Sequence, residues 1–201
     1  MGYCSVLSNH AYWLKNMINR YVKLVETLNS NNVLYHGTTY DIADEIIKNG
    51  FKLTKGKRSG FLGAEKEVEN LGIFLSDNKA LAYAYGKNRD KYDGRNTTVL
   101  KVAVEYKNII DMSDWKMIPL EIRKKCLSVL SNYEQKKVTK PTQNDMFWFF
   151  DRLEIVEFIK SKGYDGIKFL ESKKTKKELG VPNVSAFTYM IFDPQILRIV
   201  R

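Results

Sequence analysis

The chain has 201 residues, room for one full hydrophobic core and little room for two. With 44% apolar and 12% aromatic residues it reads as globular, which excludes a disordered or low-complexity protein. An excess of 33 Lys and Arg over 23 Asp and Glu leaves a formal charge of +10, so polyanions are the favoured partners and a solvated lysine-rich surface is the plain alternative.

Cys4 and Cys126 lie far apart and form no CxxC pair. With only 2 histidines in the chain, neither a zinc site nor any other metal centre is expected. Both thiols are expected free, in a reducing compartment. The stretch Met1–Leu7 is too short and too polar at its flanks for a signal peptide, and no run approaches the roughly 18 apolar residues of a membrane span. The expectation is a cytoplasmic protein with no membrane partner.

Trp13, Met17, Tyr21, Leu24, Val25 and Leu28 recur at helical spacing and predict an amphipathic helix over 8–29, closed by Asn29-Ser30-Asn31-Asn32. His10 at its start reads as a surface or capping residue. This helix makes 1–32 an extension to a single domain at 33–201. A strand follows at 33–36, then a helix at 40–49 with Ile42, Ile46 and Ile47 toward the core and Gly50 as its stop. Phe51–Leu53 reads as a short strand. From 54 to 71 periodicity is lost, and Lys55, Lys57, Arg58, Gly56, Gly60 and Gly63 predict a flexible basic loop.

Residues 71–76 read as a buried strand, with Asp77 as N-cap of a helix over 79–87. Thr97–Glu105 alternates and predicts a central strand. Helices are expected over 119–133, with Pro119 in its first turn, and over 144–162, separated by a polar linker at 134–143. A strand at 164–169, a lysine-rich loop at 172–178, a strand at 186–192 and a terminal run at 196–200 complete the chain. Strands with helices clustered between them give an α+β class rather than alternating βαβ units.

The stretch Leu34-Tyr35-His36-Gly37-Thr38-Thr39 closes a strand and opens a helix, a junction where side chains and backbone amides can both meet a ligand. Three later segments fit the same kind of site: Gly72-Ile73-Phe74-Leu75-Ser76, then Ala82-Tyr83-Ala84-Tyr85, then Thr188-Tyr189-Met190-Ile191-Phe192-Asp193-Pro194. Taken alone, each has a plainer reading. Gly72 can mark close packing, Phe74 can be core, and Tyr83 and Tyr85 point to nearly opposite sides of a helix.

In order and separation these segments resemble the ADP-ribosyltransferase superfamily, on its diphtheria-toxin and poly(ADP-ribose) polymerase side, in the phage and bacterial type. The resemblance covers about 33–199. It implies a split β-sandwich, here with an N-terminal helix and inserted helices, that holds NAD as co-substrate and passes ADP-ribose to a protein or nucleic-acid acceptor. It also implies the roles. His36 bonds a ribose hydroxyl, Gly37 offers its backbone to the carboxamide, and Thr38 contacts the same ribose. Tyr85 stacks on the nicotinamide with Tyr83 as fallback, Gly72, Phe74 and Ser76 line the pocket, and Lys57 and Arg58 meet the diphosphate.

Two positions depart from the family pattern. Phe74 stands where a tyrosine is usual, and Thr188 stands where the catalytic glutamate is expected. Losing a preorganised charge typically costs on the order of a hundred- to thousandfold in rate. The sequence leaves open whether Glu171 or Glu178 folds back into the cleft. The resemblance implies mono-ADP-ribosyl transfer with His36, Tyr85 and Thr188 at the centre, or hydrolysis of NAD. From other classes come a degenerate domain that binds NAD, ADP-ribose or a partner without turnover, and a basic nucleic-acid-binding module.

Overall fold

The computed structural model describes residues 33–59, 65–93, 96–129, 149, 152–171 and 173–200. The helix expected over 8–29, with His10, lies outside them, as do Cys4, the linker 134–143 and most of the first half of the helix expected over 144–162.

In chain order the elements are β1 (Val33–Thr39), α1 (Tyr40–Asn49), β2 (Lys55–Ser59), β3 (Glu65–Glu69), β4 (Ile73–Ser76) and α2 (Lys79–Asp93). Then come β5 (Thr97–Val104), β6 (Ile109–Asp111), α3 (Leu120–Ser128), α4 (Leu153–Ser161), β7 (Gly166–Leu170), α5 (Lys173–Glu178), β8 (Phe187–Ile191) and β9 (Leu197–Ile199). Seven strands form one sheet in the order β6-β7-β8-β4-β1-β5-β9, and β2 and β3 form a separate hairpin. Every pairing in the large sheet is antiparallel except β6 with β7. The architecture is α+β, as expected.

The strands alternate, and the alternation feeds two cores. On one face Ile167, Phe169 and Met190 pack with Ile122 and Cys126 of α3 and Ile155, Val156 and Ile159 of α4. Burying each such isoleucine contributes about 1.5–3 kcal/mol. Burial pushes the Cys126 thiol up to about 12, so the sulfur stays protonated and inert. On the other face Leu34, Leu75, Leu100, Val102, Tyr189 and Ile191 pack with Ala43 and Ile46 of α1 and with Phe51. β8 therefore serves both cores, giving Met190 to one and Tyr189 and Ile191 to the other.

Several expectations change. On α1 only Ala43 and Ile46 are buried; Ile42 and Ile47 are exposed. Gly50 stops this helix as expected, with φ at 76° and its N–H donating to the Ile46 carbonyl. Phe51–Leu53 forms no strand, although Phe51 is buried. The segment read as a loop at 54–71 contains the β2–β3 hairpin, with Lys57 in register with Glu67. Its sequence carries no apolar alternation, so a period-two search passes over it.

Helix α2 runs on to Asp93 rather than stopping near 87, and its cap is Asn78 rather than Asp77. The Asn78 Oδ1 accepts from the N–H groups of Ala80 and Leu81, while Asp77 Oδ1 accepts from the Phe187 N–H across the sheet. The lysine-rich segment expected as a loop forms the short helix α5. Pro119 sits one position before α3, which ends at Ser128 rather than 133. Among the described residues no helix is long and apolar enough to cross a membrane.

Candidate active site

β1 pairs with β5 at seven consecutive positions and β4 with β8 at four, yet β1 and β4 share a single pair, Tyr35 opposite Ser76. At this short seam lies a cleft of about 290 Å³. β1 lines it with Tyr35, His36 and Gly37, and β4 with Phe74, Leu75 and Ser76. α2 contributes Ala82, Tyr85 and Asn88, and β8 contributes Thr188. Four segments spread over more than 150 residues thus meet at one hollow.

The His36 ring spans the seam. Its Nδ1 lies 2.9 Å from the Phe74 carbonyl oxygen, and a carbonyl only accepts, so Nδ1 carries the proton. In the neutral ring Nε2 then holds the lone pair and is the acceptor. Phe51 meets the imidazole edge-on, with centroids 5.3 Å apart and planes at 86°. The ring is thus held from two sides and only half-buried.

Gly37 is required by packing. A Cβ built there would lie 1.6 Å from the Ala82 carbonyl oxygen of α2. Gly86 returns the constraint, since its Cβ would lie 2.8 Å from the Thr38 nitrogen and 2.9 Å from the Gly37 carbonyl carbon. Helix and strand therefore touch backbone to backbone, which brings the α2 side chains down onto the cleft.

The far wall is polar beneath its surface. Thr188 Oγ1 donates to Glu171 Oε2 at 2.8 Å, and the Tyr85 hydroxyl donates to the same oxygen at 2.7 Å. Glu171 is only 2% exposed and is not among the residues lining the cleft; it stands one side chain behind the wall. Its position follows from register. The Glu171 N–H bonds the Ala186 carbonyl at 3.0 Å, continuing the β7–β8 ladder, so its side chain lies diagonal to Thr188 on the same face. Ala186, directly opposite, is too small to fill the space. Burial and then the nearby Glu171 carboxylate push the Tyr85 phenol far above its ordinary range, so it remains a hydrogen-bond donor.

The structure thus brings together His36, Gly37, Phe74, Ser76, Tyr85 and Thr188. Ser76 is partly committed to the sheet, donating to the Phe187 carbonyl and accepting from the Asn78 N–H. The other expected residues lie elsewhere. Thr38 is fully buried off the cleft, with no partner for its Oγ1 among the described residues. Gly72 marks close packing, since a Cβ there would lie 2.6 Å from Met190 Cγ. Tyr83 is exposed on the opposite side of α2, where it lines a groove with Lys79, Lys87 and Val99. Arg58 lies on β2, and its side chain and that of Lys57 are outside the described parts of the structure. Glu178 is exposed at the end of α5.

The sequence did not assign Tyr35, Leu75, Ala82 and Asn88 to the site, and it named Glu171 only as one of two candidates. A signal for Glu171 exists. Ile167 and Phe169 are buried at period two, and the next position on that stripe is a carboxylate. Among the described residues no cluster of His, Cys, Asp and Glu suits a metal ion. No protein-family model matches the chain, and no curated protein or solved structure is significantly similar to it.

Proposed function

We propose that the protein is an NAD-dependent mono-ADP-ribosyltransferase acting on a protein or nucleic-acid acceptor. One observation carries this reading: His36, Phe74, Tyr85 and Thr188, distant in sequence, line a single cleft with the buried Glu171 carboxylate directly behind it. The cleft fits the nicotinamide–ribose end of NAD. Phe74, Leu75, Ala82 and Tyr85 give apolar walls for a flat heterocycle, and His36, Ser76 and Thr188 place polar atoms around it. Its volume of about 290 Å³ suits that end of the molecule rather than the whole dinucleotide.

NAD supplies an N-glycosidic bond to a positively charged ring, a good leaving group, and its cleavage builds positive charge on the ribose. The chain supplies the surroundings. The His36 Nε2 lone pair accepts from a ribose hydroxyl, with the ring fixed by Phe74 and Phe51. The apolar walls lower the local dielectric, which strengthens the polar contacts inside. The test is release of labelled nicotinamide from NAD, repeated with His36→Ala. Loss of one ligand hydrogen bond predicts about a tenfold fall in kcat/KM. Release at an unchanged rate would remove His36 from the site.

A second reading is a domain that binds NAD or ADP-ribose without turnover. It is favoured by threonine at 188 and by a carboxylate that stops short of the cleft wall. Calorimetric binding of NAD with no nicotinamide release supports it over the first.

A further inference from the structure

We infer that Glu171 is the base of the reaction, acting through the Thr188 hydroxyl, and that the acceptor therefore carries a proton on its attacking atom. This rests on the transferase reading. The observations are the two short hydrogen bonds converging on Glu171 Oε2 and the position of Thr188, which has one side on the carboxylate and the other on the cleft.

A threonine hydroxyl has one proton and two lone pairs. Here the proton is directed to Glu171, so the lone pairs are what Thr188 can offer the cleft. Its oxygen is primed to accept, because the hydroxyl can pass its own proton to the carboxylate as it takes another. The steps balance. The acceptor oxygen or nitrogen bonds to the ribose C1 atom while the bond from C1 to the nicotinamide nitrogen breaks. That electron pair leaves with nicotinamide and cancels the ring's positive charge. The acceptor's proton moves to Thr188 Oγ1, and the Thr188 proton moves to Glu171 Oε2. Release of products returns the proton to water and restores the carboxylate.

Tyr85 holds the relay still. Its hydroxyl donates to the same carboxylate oxygen, so its ring is the part left for the nicotinamide. The relay also narrows the acceptor. A hydroxyl, a guanidinium, a nucleobase amine or water has a proton to surrender; a carboxylate side chain has none. Thr188 thereby becomes a residue that touches the reacting group, and Glu171 a positioning and proton-accepting residue that works through it.

Water is the simplest protonated acceptor, so hydrolysis of NAD tests the relay with no acceptor identified. Full-length protein, Glu171→Gln, Thr188→Val and the double variant are compared for NAD affinity by calorimetry, for nicotinamide release, and for melting temperature. The relay predicts that each single variant loses about a hundredfold in kcat. The NAD Kd stays within about threefold, and the double variant is no slower than either single one, because both break one pathway. Thr188→Ser, which restores the hydroxyl, recovers the rate lost in Thr188→Val.

A Glu171→Gln protein that binds and cleaves NAD at the parental rate overturns the relay and leaves the transferase reading standing. Losses that multiply in the double variant, or that follow NAD affinity and melting temperature, assign Glu171 a structural role and also overturn it. A parent protein that neither binds nor cleaves NAD ends the transferase reading itself. Should Glu171→Gln not fold, Thr188→Val and its serine rescue decide the question alone.

Discussion

The β1–α2 side of the cleft and its β7–β8 side are built from different materials. On the first, Gly37 and Gly86 let main chain meet main chain, and the shape of the hollow is set where no side chain intervenes. On the second, hydroxyls from α2 and β8 converge on the buried carboxylate of Glu171, the residue after β7, and what is set is charge. The first side should be sensitive to volume and tolerant of chemistry, and the second the reverse. A single methyl group should therefore damage the first wall more than a change of charge, and a change of charge should damage the second more than a methyl.

The largest expected effect tests the volume side. Gly37→Ala drives a Cβ into the Ala82 carbonyl, and overpacking against backbone predicts a loss of about 3 kcal/mol or more, read as a shift in a urea unfolding midpoint. A shift under about 1 kcal/mol would show that α2 can ride up and that the close approach is not a constraint.

Next comes Thr188→Glu, which tests the charge side. It would place a glutamate on β8 and set a second carboxylate against the buried Glu171. Like charges there should destabilise the fold by about 2–3 kcal/mol. Pairing it with Glu171→Gln removes the conflict, so the double variant should unfold later than Thr188→Glu and release nicotinamide faster than Glu171→Gln. Equal stability of single and double variants would mean the two positions do not meet.

The smallest contrast lies between two tyrosines of one helix. Tyr85→Phe removes a donor to a buried carboxylate and should cost about 1–3 kcal/mol. Tyr83→Ala, on the exposed face, should fall within about 0.5 kcal/mol and leave NAD turnover alone. The reverse ranking, measured in the same urea series, would place the wrong face of α2 on the cleft.

The same division explains what the sequence let one read. β1, β4, β5 and β8 were legible from their apolar runs; α1 was legible as a helix, but packing buries Ile46 and leaves Ile42 and Ile47 exposed. His36 and Gly37 were legible as a pair because they are neighbours in the chain. The resemblance implies backbone access to a ligand at Gly37; the packing constraint there is not legible, since the Ala82 carbonyl lies far along the sequence and only folding brings it there. Asp77 was read as a helix cap by the same local logic, but a nonlocal donor, the Phe187 N–H, has claimed it and left the cap to Asn78. Glu171 belongs with these cases. Its role depends on a register shared by two strands, which no window along one of them contains.

β8 sends Met190 into one core and Tyr189 and Ile191 into the other, and it is made after every other strand of the large sheet except β9. Neither half can finish condensing until that segment arrives, so synthesis should end in a single late, concerted closure rather than in two halves maturing separately. The cleft would then come into existence only at that closure, and a nascent chain cut short before Phe187 would carry most of the lining residues and none of the site.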